Sequence, residues 1–242
     1  MTLQMLENDL ENFSFTSQAE IGQLTPTEDY SEFFKVLSVD VGVQHLGLSL
    51  ALVKKENFIF ERIVAINLVD ITKFTHNVCE LKNCRLYHTK TMWDYLSHVF
   101  VEHPCFEEAD VILVERQPPV GFVVVEQIIF GRFREKTWLI NPRSVHKFFG
   151  IGVFDYDARK IETEKIASKN LSNEQKEELK NFERQHDIGD SVCQLLYWCN
   201  KRNYEYKLAR RDNEIKEQQK LRDMKNINTF AYLDSFKFVP HV

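Results

Sequence analysis

The chain has 242 residues, 43% of them hydrophobic, which suits one substantial α/β domain plus an extension. A formal net charge of −5 gives no global basic signal, yet residues 1–34 hold seven acids (Glu7, Asp9, Glu11, Glu20, Glu28, Asp29, Glu32) and no Lys or Arg, leaving the remainder slightly basic at +2. Five cysteines without a secretory apolar region argue against a disulfide framework, no apolar run approaches the roughly 18 residues of a membrane span, and an N-terminus lacking Arg and Lys argues against a mitochondrial transit peptide. The expectation is a soluble, intracellular protein with free thiols.

Residues 1–33 are polar, acidic and aperiodic and are expected to form a flexible arm. Three β-rich runs follow, Phe34 to Asp40, Leu46 to Val53 and Phe58 to Leu68; the turn-like Val-Gly-Val-Gln-His joins the first two, which predicts an antiparallel meander. Residues 69–90 read as a polar insertion, and Thr91 to Val101 places Met92, Leu96, Val99 and Phe100 at helical spacing. Val111 to Val114 is wholly apolar, as a strand buried on both faces requires, and Pro118-Pro119 ends it. Val120 to Phe133 predicts a helix despite the poor helix formers Val123 to Val125, Trp138 to Ile140 another buried strand, and Pro142 to Phe149 a short helix with proline in its first turn.

From Asp157 to Arg184 the composition turns to Lys, Glu and Asn, with Ser172 before Glu174 and Gln175 as a helix start. Val192, Leu195, Leu196, Trp198 and Cys199 mark an amphipathic helix beginning near His186. Beyond it, 200–225 is densely charged and 230–242 aromatic-rich. The element order is that of a ribonuclease H-like α/β fold with a mixed central sheet flanked by helices, spanning 34–204, with 205–242 as a charged C-terminal extension.

Four carboxylates fall at positions where these elements could converge. Asp40 ends the run Val36 to Val39 and precedes Gly42; a turn aspartate is the plainer reading of Asp-x-Gly alone. Glu115 follows four residues of buried-strand character, where a carboxylate is costly unless paired or metal-bound; Arg116 points to the opposite face and suits that pairing poorly. Asp187 and Asp190 stand three apart on one helix face, where like charges repel, although a helix N-terminus favours anions. Together they could hold two divalent cations about 4 Å apart, the arrangement that hydrolyses phosphodiesters.

At these residues the chain resembles the RuvC-like Holliday-junction resolvases, in particular the type of poxviruses and other large DNA viruses. The resemblance is carried by Leu-Ser-Val-Asp40-Val-Gly-Val-Gln-His-Leu-Gly, Val-Ile-Leu-Val-Glu115-Arg-Gln, Asn-Pro-Arg-Ser-Val-His-Lys-Phe-Phe-Gly and His-Asp187-Ile-Gly-Asp190-Ser-Val-Cys, across 34 to about 200. It implies a homodimeric crossover junction endodeoxyribonuclease, using Mg²⁺ or Mn²⁺, that cuts four-way DNA junctions symmetrically in recombination or in processing replicated genome concatemers. If viral, such a protein would work in the host cytoplasm or nucleus, where viral DNA replicates. Asp40, Glu115, Asp187 and Asp190 would then be the metal-binding catalytic acids. A family lysine before the final helix pair maps first to Lys160 and second to Lys165; a solvated helix lysine is the plainer reading of either. Where the family carries Lys and Asp just before its last aspartate pair, this chain has Gln185 and His186.

Arg132, Arg134, Lys136, Arg143 and Lys147 lie near strand or helix ends, suited to phosphates, though balancing nearby acids is the simpler role. His76, Cys79, Cys84 and His88 offer the ligand types of a structural zinc site, but crowd both pairs into a short interval unlike the usual fingers; free thiols beside a hairpin are the simpler account. Trp138, Trp198, Tyr204 and Tyr206 could stack on splayed bases, while core packing explains the two tryptophans more simply. Two other functions compete. An actin- or sugar-kinase-like phosphotransferase shares Asp-x-Gly with a second glycine, Asp40 to Gly47, but needs two domains and a second Gly-rich loop. A non-catalytic junction-binding protein would be expected to have lost an acid, and all four are present.

Overall fold

Apolar runs that cannot be left in water define the centre of the molecule. The computed structural model describes residues 30–42, 44–76, 84–119 and 123–235. Strand β1 (Phe33–Val41) is buried without interruption from Val36 to Val41, as only a central strand covered on both faces can be. It pairs antiparallel with β2 (His45–Lys54), which pairs antiparallel with β3 (Phe60–Asp70), and lies parallel to β4 (Val111–Glu115), itself parallel to β5 (Thr137–Ile140). The sheet order is β3-β2-β1-β4-β5. The third strand starts and ends two residues later than the sequence suggests. Phe58 is drawn into a turn at φ 59°, where the Asn57 side chain accepts the Ile59 N–H.

Side-chain alternation sends each strand's residues to two separate cores. Leu37, Val39, Ile112 and Val114 pack beneath α1 (Met92–Glu102), α2 (Cys105–Glu108) and α3 (Val123–Arg132). Val36 and Leu113 face α4 (Pro142–Phe149), α5 (Tyr156–Asn170), α6 (Asn173–Lys180) and α7 (Gln185–Ser235). The helices begin where local chemistry satisfies their first N–H groups: Thr91, Asn141 and Asp155 accept them, and Ser172 with Gln175 forms a capping box. Gly150, at φ 70°, closes α4 in the left-handed region.

Helix α7 runs unbroken across the boundary expected at 204. Burial, not secondary structure, changes there: Ile188, Val192, Leu195 and Cys199 are core, whereas Tyr204, Leu208, Ile215, Leu221 and Met224 are exposed. Arg202 stacks over Phe58 and Trp138, and Asn203 donates to the Asn57 carbonyl, pinning the helix to the sheet just before it leaves. Trp198 is buried edge-on to Phe58 and Trp138, so packing accounts for it; Trp138 stays half-exposed beneath Arg202. No helix among the described residues is long and apolar enough to cross a membrane.

Candidate active site

Val39 pairs with Val114 across two parallel strands, so Asp40 and Glu115, each the next residue, sit side by side at the same level. Period-two alternation places both on the α7 face, in line with Val36 and Leu113 and opposite Val39 and Val114. The N-terminal turn of α7 brings Asp187 and Asp190 to that place. Gly47, paired with Asp40 on the neighbouring strand, makes this possible, because a Cβ there would lie 2.2 Å from the Asp187 carbonyl oxygen. Gly189 likewise lets α7 close on α5, where a Cβ would meet the Thr163 carbonyl carbon at 3.0 Å. Gln194, one turn on, donates to Ser38 Oγ at 3.1 Å and to the Val39 carbonyl at 3.3 Å, locking helix to strand directly below the acids.

The four acids interact strongly. Burial first, then a side-chain hydrogen bond and charge repulsion from Glu115, then the charges of Asp190 and Asp187, hold the Asp40 carboxyl well above the usual carboxylate range. Asp190 is pushed up to about 7, by burial and then by Glu115, with a Thr163 hydrogen bond and Lys160 acting the other way. Asp187 is only 5% exposed, and its oxygens accept from Arg184 Nε at 2.6 Å and Nη2 at 3.1 Å. His186 Nε2 lies 3.0 Å from Asp187 Oδ1 without hydrogen-bond alignment, and burial lowers its pKa.

The donors are hard oxygens with too little counter-charge of their own, the environment that a hard divalent cation relieves. Asp40, Glu115, Asp187 and Asp190 thus fit such an ion chemically, although their oxygens are not drawn together as tightly as the ligand atoms of Cys84, His88 and His98, which all lie within 4.8 Å of one another. Arg184 holds Asp187 in the place a cation would compete for.

Lys160 lies on α5 with Nζ 4.1 Å from the Tyr156 ring centroid, and its charge acts on Asp190 and His186. Lys165 instead pairs with Glu162 at 2.6 Å on the exposed side of that helix. Arg143 and Lys147 lie on α4, directly after β5 at the Glu115 end of the sheet. Arg132, Arg134 and Lys136 come at the opposite end, since Thr137 pairs with Ile112 and three residues separate it from Ile140, roughly 10 Å along the strand. Arg132 pairs with Glu107 at 2.8 Å, Arg134 lies over the Phe130 ring, and Lys136 donates to the carbonyls of Glu107 and Ala109. The structure does not bring these three to the acids.

No protein-family model matches the chain, and no curated protein sequence does. Among solved structures, the yeast mitochondrial Holliday junction resolvase Ydc2 superposes with a TM-score of 0.51 at 17% identity, over 74% of this chain and 84% of that one. The chain has a ribonuclease H-like fold, a mixed central sheet flanked by helices. The Fowlpox virus Holliday junction resolvase matches with a TM-score of 0.49 at 15% identity, over 69% of this chain and 98% of that one. Thermus thermophilus RuvC matches at 0.37 and 12%, over 69% and 95%.

Sequence reasoning missed Arg184, whose contact with Asp187 is an ordinary spacing of three that many surface pairs share. It also missed His146, quoted within a motif but given no role. Burial and then Arg159 lower its pKa, while the charge of Glu115 acts on it in the other direction.

Proposed function

We propose that this chain is a divalent-metal-dependent endonuclease that resolves four-way DNA junctions. The observation that carries the reading is the pairing of Asp40 and Glu115 on adjacent parallel strands beneath the start of α7, on the fold of a Holliday junction resolvase. Asp40, Glu115, Asp187 and Asp190 would hold Mg²⁺, or Mn²⁺ in its place. When bound, the ions supply an activated water and Lewis-acid stabilisation of the leaving oxygen in phosphodiester hydrolysis.

The chain's own residues prepare for this. Gly47 lets the backbone of Asp187 sit against β2, and Gln194 fixes the helix, so the acids keep their positions as charges accumulate. Lys160 provides a cation beside Asp190 to offset charge developing on the phosphate. Arg143 and Lys147, at the Glu115 end of the sheet, are suited to hold flanking phosphates, fixing the backbone without reading sequence. His186 replaces the acidic neighbour expected from the family and contributes a nitrogen next to Asp187 rather than another carboxylate. A homodimer would place two such sites on opposed strands of one junction.

The test is cleavage of a labelled synthetic four-way junction beside duplex, single-nicked duplex and RNA–DNA hybrid of matched sequence. Selective cutting of the junction is the expected result. Equal cutting of the hybrid would reassign the site to a general ribonuclease H-like nuclease, and junction binding without cutting would favour a non-catalytic junction protein.

A further inference from the structure

On the opposite face of the sheet, residues 84–90, just before α1, fold back on that helix and bring together three side chains that no nuclease reaction uses. We propose that Cys84, His88 and His98 form a soft-metal site, filled by Zn²⁺, that fastens this segment to α1. Cys84 Sγ is 3.5 Å from His98 Nε2, and His98 Nε2 is 3.2 Å from His88 Nε2. A tetrahedron with Zn–N of about 2.0–2.1 Å and Zn–S of about 2.3 Å has nitrogen–nitrogen edges of about 3.3–3.4 Å and nitrogen–sulfur edges of about 3.5–3.6 Å. Two of the three edges already stand at the separations that one zinc ion imposes, and the third pair, Cys84 and His88, lies within 4.8 Å.

Three further observations point the same way. His98 is 1% exposed, and its Nδ1 donates to the Asp94 carbonyl at 2.6 Å, which places the proton on Nδ1 and turns the Nε2 lone pair toward His88 and Cys84. One nitrogen lone pair cannot accept well from both an imidazole N–H and a thiol, whereas a central cation receives a lone pair from all three atoms. The Leu86 N–H donates to Cys84 Sγ at 3.4 Å, the support that a metal-bound thiolate receives from its own turn. Asp94 fixes the approach of the loop, accepting the Thr89 N–H at 2.6 Å and the Thr89 hydroxyl.

Of the residues singled out in the sequence as possible zinc ligands, Cys84 and His88 belong to this cluster; Cys79 and the His76 side chain lie outside the described residues. The ligand that sequence spacing did not reveal is His98, which lies within the run Thr91 to Val101 and was given no role there. A thiolate and two imidazoles select Zn²⁺ over Mg²⁺ by softness, whereas the carboxylates select the reverse, so one chain would keep two metals apart by donor chemistry alone. Three donors among the described residues leave one corner of a tetrahedron for water or another donor.

The test uses the full chain, reduced and stripped of metal, titrated with Co²⁺ while excess Mg²⁺ occupies the carboxylates. Wild type is expected to take up one equivalent, with d–d bands of tetrahedral intensity and a thiolate-to-cobalt charge-transfer band, and Zn²⁺ should displace both. Cys84→Ser should diminish the charge-transfer band. His88→Gln, a change at an exposed residue that leaves the core untouched, should weaken binding by about 100-fold or more, the upper end of what even an outer-shell partner supplies. Absence of the band from wild type, or its persistence at full intensity and affinity in both variants, overturns the proposal.

Discussion

The two faces of one sheet carry polar clusters of opposite character. On the α7 face, four carboxylates crowd into a buried corner where Arg184 and Lys160 supply the positive charge, and two of the acids have pKa values driven far upward. On the α1 face, a thiol and two imidazoles meet with one histidine's tautomer set by a backbone carbonyl. The first cluster is destabilised by its own charge until a cation arrives. The second carries no such crowding of like charge, and a metal that binds there displaces the thiol proton. The difference teaches that donor hardness is set by which elements meet: strand ends against a helix N-terminus gather carboxylates, and a polar loop folded on a helix gathers sulfur and nitrogen.

Each side of that contrast can be broken separately. Outside the four acids, the largest effect is expected at Lys160, whose replacement by alanine should lower junction cleavage by about 10²–10³-fold in single-turnover assays, as loss of one donor that stabilises transition-state charge does elsewhere. Lys165→Ala, paired with Glu162 away from the acids, should cut at the wild-type rate. Equal losses in both would remove Lys160 from the site.

The strain among the acids is readable as pH dependence. The folded pKa of Asp190 is raised, so between about 4 and 7 the folded chain binds more protons than the unfolded one. Its contribution to stability is complete below the unfolded pKa of about 3.9 and is lost as pH rises through about 7. In chelator at pH 8, Asp190→Asn should therefore be more stable than wild type by on the order of 2–4 kcal/mol, since each tenfold change in proton affinity is worth about 1.4 kcal/mol. The two should converge near pH 4 in urea titrations. Cation binding should tighten as pH rises through about 7, because the proton on Asp190 must leave first.

A smaller change is expected at Gly47. Alanine there meets the Asp187 carbonyl and should cost about 1–3 kcal/mol in denaturant titrations while weakening Mn²⁺ binding, since the helix must move off the sheet. Unchanged metal affinity would show that the close approach serves packing alone. The smallest effect concerns the thiols. Burial pushes Cys105 and Cys199 up to about 12 and Cys193 higher still, whereas Cys84 is half-buried. Alkylation followed by peptide mapping should modify Cys84 and spare Cys105, Cys193 and Cys199, and Zn²⁺ should protect Cys84.

Much of this arrangement was legible from residues alone. Runs such as Val36 to Val39 and Val111 to Val114 can only be central strands, and a charge placed directly at their ends marks the corner where strands stop and chemistry begins. The helix start at Ser172 and the proline at the start of α4 were equally plain, because capping is a local interaction. What stayed hidden depends on tertiary approach. Nothing in the sequence says that Gly47 faces a helix backbone, that His146 lies near Glu115, or that His98 turns toward His88 ten residues earlier. The length of α7 was hidden for another reason: beyond 204 no apolar stripe records it, and its exposed turns carry charged pairs such as Arg210 with Glu214.

The most direct test of the carboxylate site is to map the nicks on a four-way junction made by wild type and by Asp40→Asn, each with and without Mg²⁺. Symmetric paired nicks that require Mg²⁺ and vanish in Asp40→Asn, with junction binding retained, are the expected result. Cleavage by Asp40→Asn at the wild-type rate, or by wild type in chelator, would contradict the assignment of these acids as the metal-holding centre.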